Sequence, residues 1–268
     1  MSFLDKLNLQ QRQAVLHREG PLLIVAGAGS GKTRVICYRL AHLIASGHAE
    51  PEQVLTVTFT NKAAQEMRSR VERLLESEFP RLWLSTFHSF CAKLLRREAP
   101  LIGLSRDFVI YDSSDQLNVV KRVMKSLDVD DRATSPRAML SRISHTKNQM
   151  QEEVALDSSA WNFRHNQFPE VFKRYKRALA DANALDFDDL LLKAVALFEA
   201  SESAQQRYSE RFRYVMIDEY QDTNRPQYLL IRHLASHHNL CVVGDPDQSI
   251  YKWRGADVSN ILDFERDF

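Results

Sequence analysis

Two short stretches carry residue types that could hold and cleave a polyphosphate. The first is Ala26-Gly27-Ala28-Gly29-Ser30-Gly31-Lys32-Thr33, which contains three of the protein's eight glycines. Small residues let backbone N–H groups curl around phosphates, and a helix opening at Lys32 would add its positive dipole end. Lys32 would reach the β- and γ-phosphates, the Thr33 hydroxyl would ligate Mg²⁺, and Arg34 follows at the same helix start. Ala26 stands where the usual pattern has Gly, a change that fits if φ there stays negative. The second stretch is Asp218-Glu219, placed after the apolar run Phe212-Arg213-Tyr214-Val215-Met216-Ile217. In this Walker B arrangement Asp218 would hold Mg²⁺ through water, and Glu219 would orient or deprotonate an attacking water.

Such residues act only if strands and helices bring them together. The run Leu22-Leu23-Ile24-Val25 predicts a strand before the glycines. Val35, Ile36, Leu40, Leu43 and Ile44 predict a helix after them that stops at Gly47. Three more apolar runs read as strands: Val54–Phe59, Leu82–Phe87 and Leu240–Val243. Each runs into polar or aromatic residues, and open α/β sheets bind ligands at the C-terminal ends of their strands. Phe59, Thr60 and Asn61 lie at one such end, with Phe59 reading equally as core. Thr86, His88 and Ser89 lie at another and could donate to phosphate or sugar oxygens, while a lone His at a helix start also reads as a cap or surface residue. After the last strand, the Gln248 amide could sense a γ-phosphate. Tyr251, Trp253 and Arg254 then place two rings beside a guanidinium, as single-stranded nucleic acid requires; a core Tyr and Trp is the other reading. Upstream, Leu7–Val15 reads as a short amphipathic helix with Asn8 as N-cap. Its Gln11 offers both a donor and an acceptor, which suits an adenine edge and suits an ordinary surface position as well.

From about Cys91 to Leu197 the strand–helix alternation stops, and helices are expected over Gln116–Leu127, Pro136–Asn148, Pro169–Ala182 and Phe187–Glu199. The expected organisation is an α/β domain with a parallel sheet made of residues 1–90 and 198–268, interrupted by a helical insertion over 91–197. The insertion ends in Leu185-Asp186-Phe187-Asp188-Asp189-Leu190-Leu191. Its three carboxylates suit a helix cap and dipole better than a metal, and Phe187 is a candidate exposed aromatic.

Composition narrows the class. Hydrophobic residues make up 44% of the 268, ordinary for a globular protein, and no apolar run approaches a membrane span. The first residues lack a basic segment followed by an apolar core, so no signal peptide is expected. Cys37, Cys91 and Cys241 are far apart in apolar settings and read as buried free thiols of a reducing cytoplasm. Net charge is +1, yet residues 91–182 hold sixteen Lys/Arg against twelve Asp/Glu. That mildly basic middle fits a polyanionic partner and fits a solvated helical surface about as well.

Taken together and in this order, Leu7-Asn8 with Gln11, Ala26–Thr33, Thr58–Ala64, Ser85–Ser89, Leu185–Leu191, Ile217–Thr223 and Val243–Ala256 resemble the UvrD/Rep/PcrA family of superfamily 1 DNA helicases. The resemblance implies a RecA-like ATPase domain, called 1A, with the insertion as domain 1B. It implies ATP and Mg²⁺ as cofactors and single-stranded DNA and single/double-strand junctions as partners. It further implies that Gln11 reads adenine, that Gln248 couples nucleotide state to DNA, and that Phe59, Phe187, Tyr251 and Trp253 contact single-stranded DNA. Arg254 would lie between the two sites. The implied activity is a DNA-dependent ATPase and 3′→5′ helicase. Two other readings remain: the motor half of a helicase–nuclease of the AddA or RecB type, and a DNA-binding module without catalysis, against which Lys32, Thr33, Asp218 and Glu219 argue. Family members continue into a second RecA-like domain. The expectation is therefore an N-terminal portion that folds, binds Mg-nucleotide weakly and barely hydrolyses it alone.

Overall fold

Short, near-continuous apolar runs rich in β-branched residues build the central sheet. A computed structural model describes residues 2–130, 132, 134–152, 167–237, 239–248 and 259–268. Its strands are β1 (Leu22–Val25), β2 (Val54–Thr58), β3 (Trp83–Thr86), β4 (Val109–Ile110), β5 (Ala184–Leu185), β6 (Tyr214–Ile217) and β7 (Leu240–Gly244). Five of them form one parallel sheet in the order β1-β7-β6-β2-β3. Because side chains alternate along a strand, each strand feeds both faces. Tyr214 and Met216 of β6 pack with helix α2 (Lys32–Ala45) and helix α3 (Asn61–Leu75) on one face. Val215 and Ile217 join the core of the other face. There they meet helices α4 (Phe87–Glu98), α8 (Phe187–Ala200), α9 (Glu202–Arg211) and α10 (Arg225–Leu234).

The helical stretch holds α5 (Ser113–Ser126), α6 (Pro136–Asn148) and α7 (Phe168–Asp181) around a separate apolar core. Ser135 caps α6 and Pro136 opens it, the arrangement the Ser-Pro pair predicts. The small parallel pair β4 and β5 lies in this stretch, where only helices were expected. Two-residue strands carry no readable period, so the sequence gives no sign of them. Helix α9 leaves little trace in the sequence because it is polar, with only Ala204, Tyr208 and Ser209 buried.

The short first helix, α1 (Leu9–Leu16), departs from its expected amphipathic character. Val15 is buried, whereas Leu9 is 73% exposed and Leu16 41%. A capping box between Asn8 and Gln11 fixes its start instead. All three cysteines are free and buried. Among the described residues, no helix is long and apolar enough to cross a membrane.

Candidate nucleotide and nucleic-acid site

Strand order decides which residues meet. In a parallel sheet all C-terminal ends share one edge, and the segments following β1, β7, β6, β2 and β3 line it side by side. After β1 the chain turns through Gly29 (φ 73°) and Gly31 (φ 85°), left-handed backbone that Gly adopts without strain. Gly31 is the N-cap of α2, so the dipole end of that helix faces the turn. Lys32 is buried, and its ammonium folds back to donate to Ala26 O at 2.7 Å and Gly27 O at 3.1 Å. Asp245 Oδ2 lies 3.5 Å away on the segment after β7.

Asp218 follows β6 and is only 2% exposed. Burial first, then the neighbouring Glu219, pushes its carboxyl up to about 6; the Thr33 hydroxyl donates to it and works the other way. Its Oδ1 is buried with no hydrogen-bond partner among the described residues. A buried, unsatisfied carboxylate oxygen beside a Thr hydroxyl is chemistry that fits a water-bound Mg²⁺ shared with phosphates. Glu219 takes a left-handed backbone (φ 54°) and accepts from Gln221 Nε2 at 2.7 Å. Gln221 Oε1 in turn accepts from Asp245 N at 2.9 Å. Asp245 is held below the ordinary carboxylate range, first by the Gln248 amide and also by Asp247 N–H and Lys32, which outweigh its burial. Lys32, Asp245, Gln248, Gln221 and Glu219 therefore form one continuous polar network. Thr33, Asp218, Glu219 and Gln248 line a cleft of about 450 Å³, which Thr58, Phe59 and Thr60 complete.

Gln11 stands beside this loop. Its Nε2 donates to Ser30 O at 3.0 Å and its Oε1 accepts from Asn8 N at 3.2 Å. Arg34 turns away from the cleft: it donates to Lys6 O at 2.6 Å and lies over the Tyr38 ring.

A second hollow of about 710 Å³ runs from the same edge towards α5 and α6. Phe59, Thr60, His88 and Phe187 line it. Phe187 is 42% exposed and meets the His88 ring edge-on at 5.8 Å; Phe59 meets the buried Phe87 in the same way. Asn61 is exposed at the start of α3 and does not line either hollow. Thr86 is buried; its hydroxyl caps α4 at Ser89 N and donates to Ser89 Oγ. Tyr251, Trp253 and Arg254 fall outside the described residues.

The sequence reading missed several residues at this edge. Gln221 and Asp245 lie inside stretches singled out for their neighbours, and nothing in residue type alone marks their mutual contact. Arg70 lines the cleft from α3 together with Ala63, Glu66 and Met67. Their helical spacing was a readable signal. The α6 residues Arg137 and Ser141 line the second hollow. The carboxylates near Phe187 are more than caps. Asp186 is the N-cap of α8, and Lys147, fully buried, donates to Asp186 Oδ2 and Asp189 Oδ1 at 2.7 Å each. Tyr175 OH adds a hydrogen bond to Asp186 at 2.9 Å.

A parallel sheet with a lysine-bearing glycine turn after its edge strand, and an Asp-Glu pair two strands away, defines the phosphate-loop NTPase class. The UvrD/REP helicase N-terminal domain family matches residues 7–268, and the chain belongs to that family. It is 47% identical over all 268 residues to the ATP-dependent DNA helicase PcrA of Staphylococcus epidermidis, covering 37% of that protein. It is 46% identical over 266 residues to the ATP-dependent DNA helicase PcrA of Bacillus subtilis, covering 99% of this chain and 36% of that one. The chain thus spans little more than a third of the length of these relatives. Its fold is the mixed α/β, parallel-sheet architecture of a RecA-like helicase N-terminal domain.

Proposed function

We propose that this chain is the ATP-binding portion of a DNA-dependent ATPase and 3′→5′ DNA helicase that moves along single-stranded DNA. The activity follows that of the PcrA relatives, and the polarity follows the family resemblance. One observation supports the reading most: Lys32, Thr33, Asp218 and Glu219, 187 positions apart from first to last in the chain, line or border one cleft at one sheet edge. Lys32 clamps the β- and γ-phosphates, the loop 26–31 cradles them, and Thr33 with Asp218 holds Mg²⁺. Glu219 orients the attacking water, with Gln221 fixing its carboxylate. Gln248 and Arg254 report the γ-phosphate, and Gln11 reads the base by exchanging its bond to Ser30 for one to adenine.

Single-stranded DNA occupies the neighbouring hollow, with bases against Phe59 and Phe187 and backbone against Thr60 and His88. Tyr251 and Trp253 complete the proposed DNA contacts; Asn61 lies outside both hollows and the Thr86 hydroxyl is engaged in capping α4, so neither is placed against the strand. Residues 1–90 and 198–268 form domain 1A, and 91–197 form domain 1B, tied to 1A where α4 and α8 pack on the sheet. Junction DNA is the substrate, a second RecA-like domain is the partner, and the reducing cytoplasm is the setting. The test uses the 268-residue chain with a fluorescent ATP analogue and a single-stranded oligonucleotide. Mg²⁺-dependent nucleotide binding lost in Lys32→Ala, with DNA binding retained, is expected. Nucleotide binding indifferent to both Mg²⁺ and Lys32 would sink the assignment.

A further inference from the structure

At the opposite edge of the sheet lies a concentration of arginine that the nucleotide and DNA sites do not use. Arg96 and Arg97 end α4, Arg106 follows in the next loop, and Arg207 and Arg211 sit one turn apart on α9. Together they line a concavity of about 660 Å³. Among the described residues that line it, Glu98 is the one carboxylate. Its position is fixed by the sheet: Arg211 lies 5.2 Å over Trp83, the first residue of β3, and 5.7 Å over Phe212, just before β6. Both rings mark the N-terminal ends of strands, whereas the phosphate loop, Asp218 and Phe59 follow C-terminal ends.

We infer that this concavity is a docking site for an acidic, Asp/Glu-rich peptide segment of a partner protein. Five guanidiniums around one hollow repel one another, and the Arg207–Arg211 pair at i, i+4 is itself unfavourable. The charges are nevertheless held in place. Arg96 stacks 3.9 Å over Phe108 and Arg207 lies 5.8 Å over Tyr208. Guanidiniums fixed on rings lose little freedom when they bind, and their planar forks match carboxylates. The pocket already shows that chemistry with its own carboxylate. Glu98 accepts from Arg207 at 2.8 Å and from Tyr208 OH at 3.1 Å. Arg97 reaches the same Tyr208 hydroxyl, and Arg96 donates to the carbonyl of Arg106. One carboxylate therefore satisfies part of the site and leaves a net positive cavity.

Nucleic acid fits the hollow less well. The rings beneath the arginines are covered by them and offer no face for a base to stack on. The hollow also faces away from the edge where the DNA groove lies. The inference rests on the sheet geometry, and the proposed DNA groove serves only as the contrast, since the partner and the edge are different.

The test is a titration of the 268-residue chain with a fluorescein-labelled hexaglutamate peptide at low salt, with hexaglutamine as control. Binding is expected for the first peptide only, and it should fall steeply when salt is raised. The triple variant Arg97→Ala/Arg106→Ala/Arg207→Ala should weaken it about tenfold or more, with single-stranded DNA binding and melting temperature unchanged. These three side chains are exposed, and Arg211 on Trp83 is left in place. The matching triple Lys variant keeps the charge and loses the forks, so it should recover only part of the affinity. Equal peptide affinity in wild type and the Ala variant would overturn the proposal. So would a blunt-ended duplex or tripolyphosphate that displaces the peptide and loses its own binding in the same variant while binding more tightly, which would make the site one for phosphates.

Discussion

Lys32 Nζ and Asp245 Oδ2 lie 3.5 Å apart, with both side chains buried, where the segments after β1 and β7 run side by side. The ammonium also donates to two carbonyls of its own loop. A phosphate entering the loop would take over these bonds without moving the backbone. Hydrogen bonds to charged groups are each worth about 1.5–3 kcal/mol, so Lys32→Ala should weaken nucleotide binding by roughly 10–100-fold. Isothermal titration with an ATP analogue measures this directly. Affinity within a factor of two of wild type would place the phosphates elsewhere.

Asp218 ties stability to pH in the direction opposite to a paired carboxylate. Its native value is raised from 3.8 to about 6, so the folded state holds the proton longer than the unfolded chain does. The contribution of this group to stability is greatest below about pH 4 and is lost as pH rises towards 6. A shift of this size corresponds to at most about 3 kcal/mol. Asp218→Asn should therefore raise the melting temperature at pH 7.5 without nucleotide, with the gain shrinking towards pH 4. Mg²⁺-nucleotide binding should tighten through pH 6 in wild type and be lost in the variant. A melting temperature lowered by Asp218→Asn at pH 7.5 would contradict the raised value.

Gly244 ends β7 where no side chain fits. A Cβ there would meet Gln221 Oε1 at 2.8 Å, Ile261 Cδ1 at 2.9 Å and Gln221 N at 3.3 Å. Gln221 is the residue that holds Glu219, so the clash falls on the carboxylate proposed to orient water. Gly244→Ala should cost about 1–3 kcal/mol, by analogy with overpacked cores. Urea denaturation would show it as a lower midpoint with unchanged slope. An unchanged midpoint would mean the Gln221 side chain gives way freely.

Lys147 is a second buried charge with a different origin. Burial disfavours its ammonium, and Asp189 with Asp186 overcomes that and raises its pKa. Removing one partner of a buried pair typically costs about 3–5 kcal/mol, because the remaining charges are left unpaired. Lys147→Ala should therefore destabilise the chain far more than Lys62→Ala, whose exposed pair with Glu66 spans 4.0 Å. Parallel thermal melts of the two variants provide the comparison, and similar small shifts would refute it.

The contrast between these sites shows what the sequence makes legible. The loop around Lys32 is readable because phosphate binding needs a fixed local order of small residues, Lys and Thr. The strand ends are readable because buried parallel strands form continuous apolar runs that stop abruptly. Lys147 pairs with carboxylates 39 and 42 positions away, and Asp245 contacts a lysine 213 positions away. No spacing rule connects such partners; the topology of the sheet and the packing of α6 on α8 decide them. The two-residue strands β4 and β5 are silent for another reason, since they are shorter than the period that would reveal them.

Phe59 and Phe187 line the same hollow and should respond differently to the same substitution. Phe59 packs edge-on against the buried Phe87 and joins the main core. Phe187 is 42% exposed, and the ring it meets, His88, lines the same hollow. Phe59→Ala should lower both melting temperature and affinity for single-stranded DNA. Phe187→Ala should lower affinity by about 1–3 kcal/mol if a base stacks on the ring, with a smaller drop in melting temperature than Phe59→Ala. Because more than half of the residue is buried on folding, its removal should still cost about 1–2 kcal/mol of stability, less than the loss at the more deeply packed Phe59. Fluorescence anisotropy with a labelled oligonucleotide, beside circular dichroism melts of both variants, separates the two effects. Full DNA affinity in a well-folded Phe187→Ala protein would remove this hollow from the path of the strand.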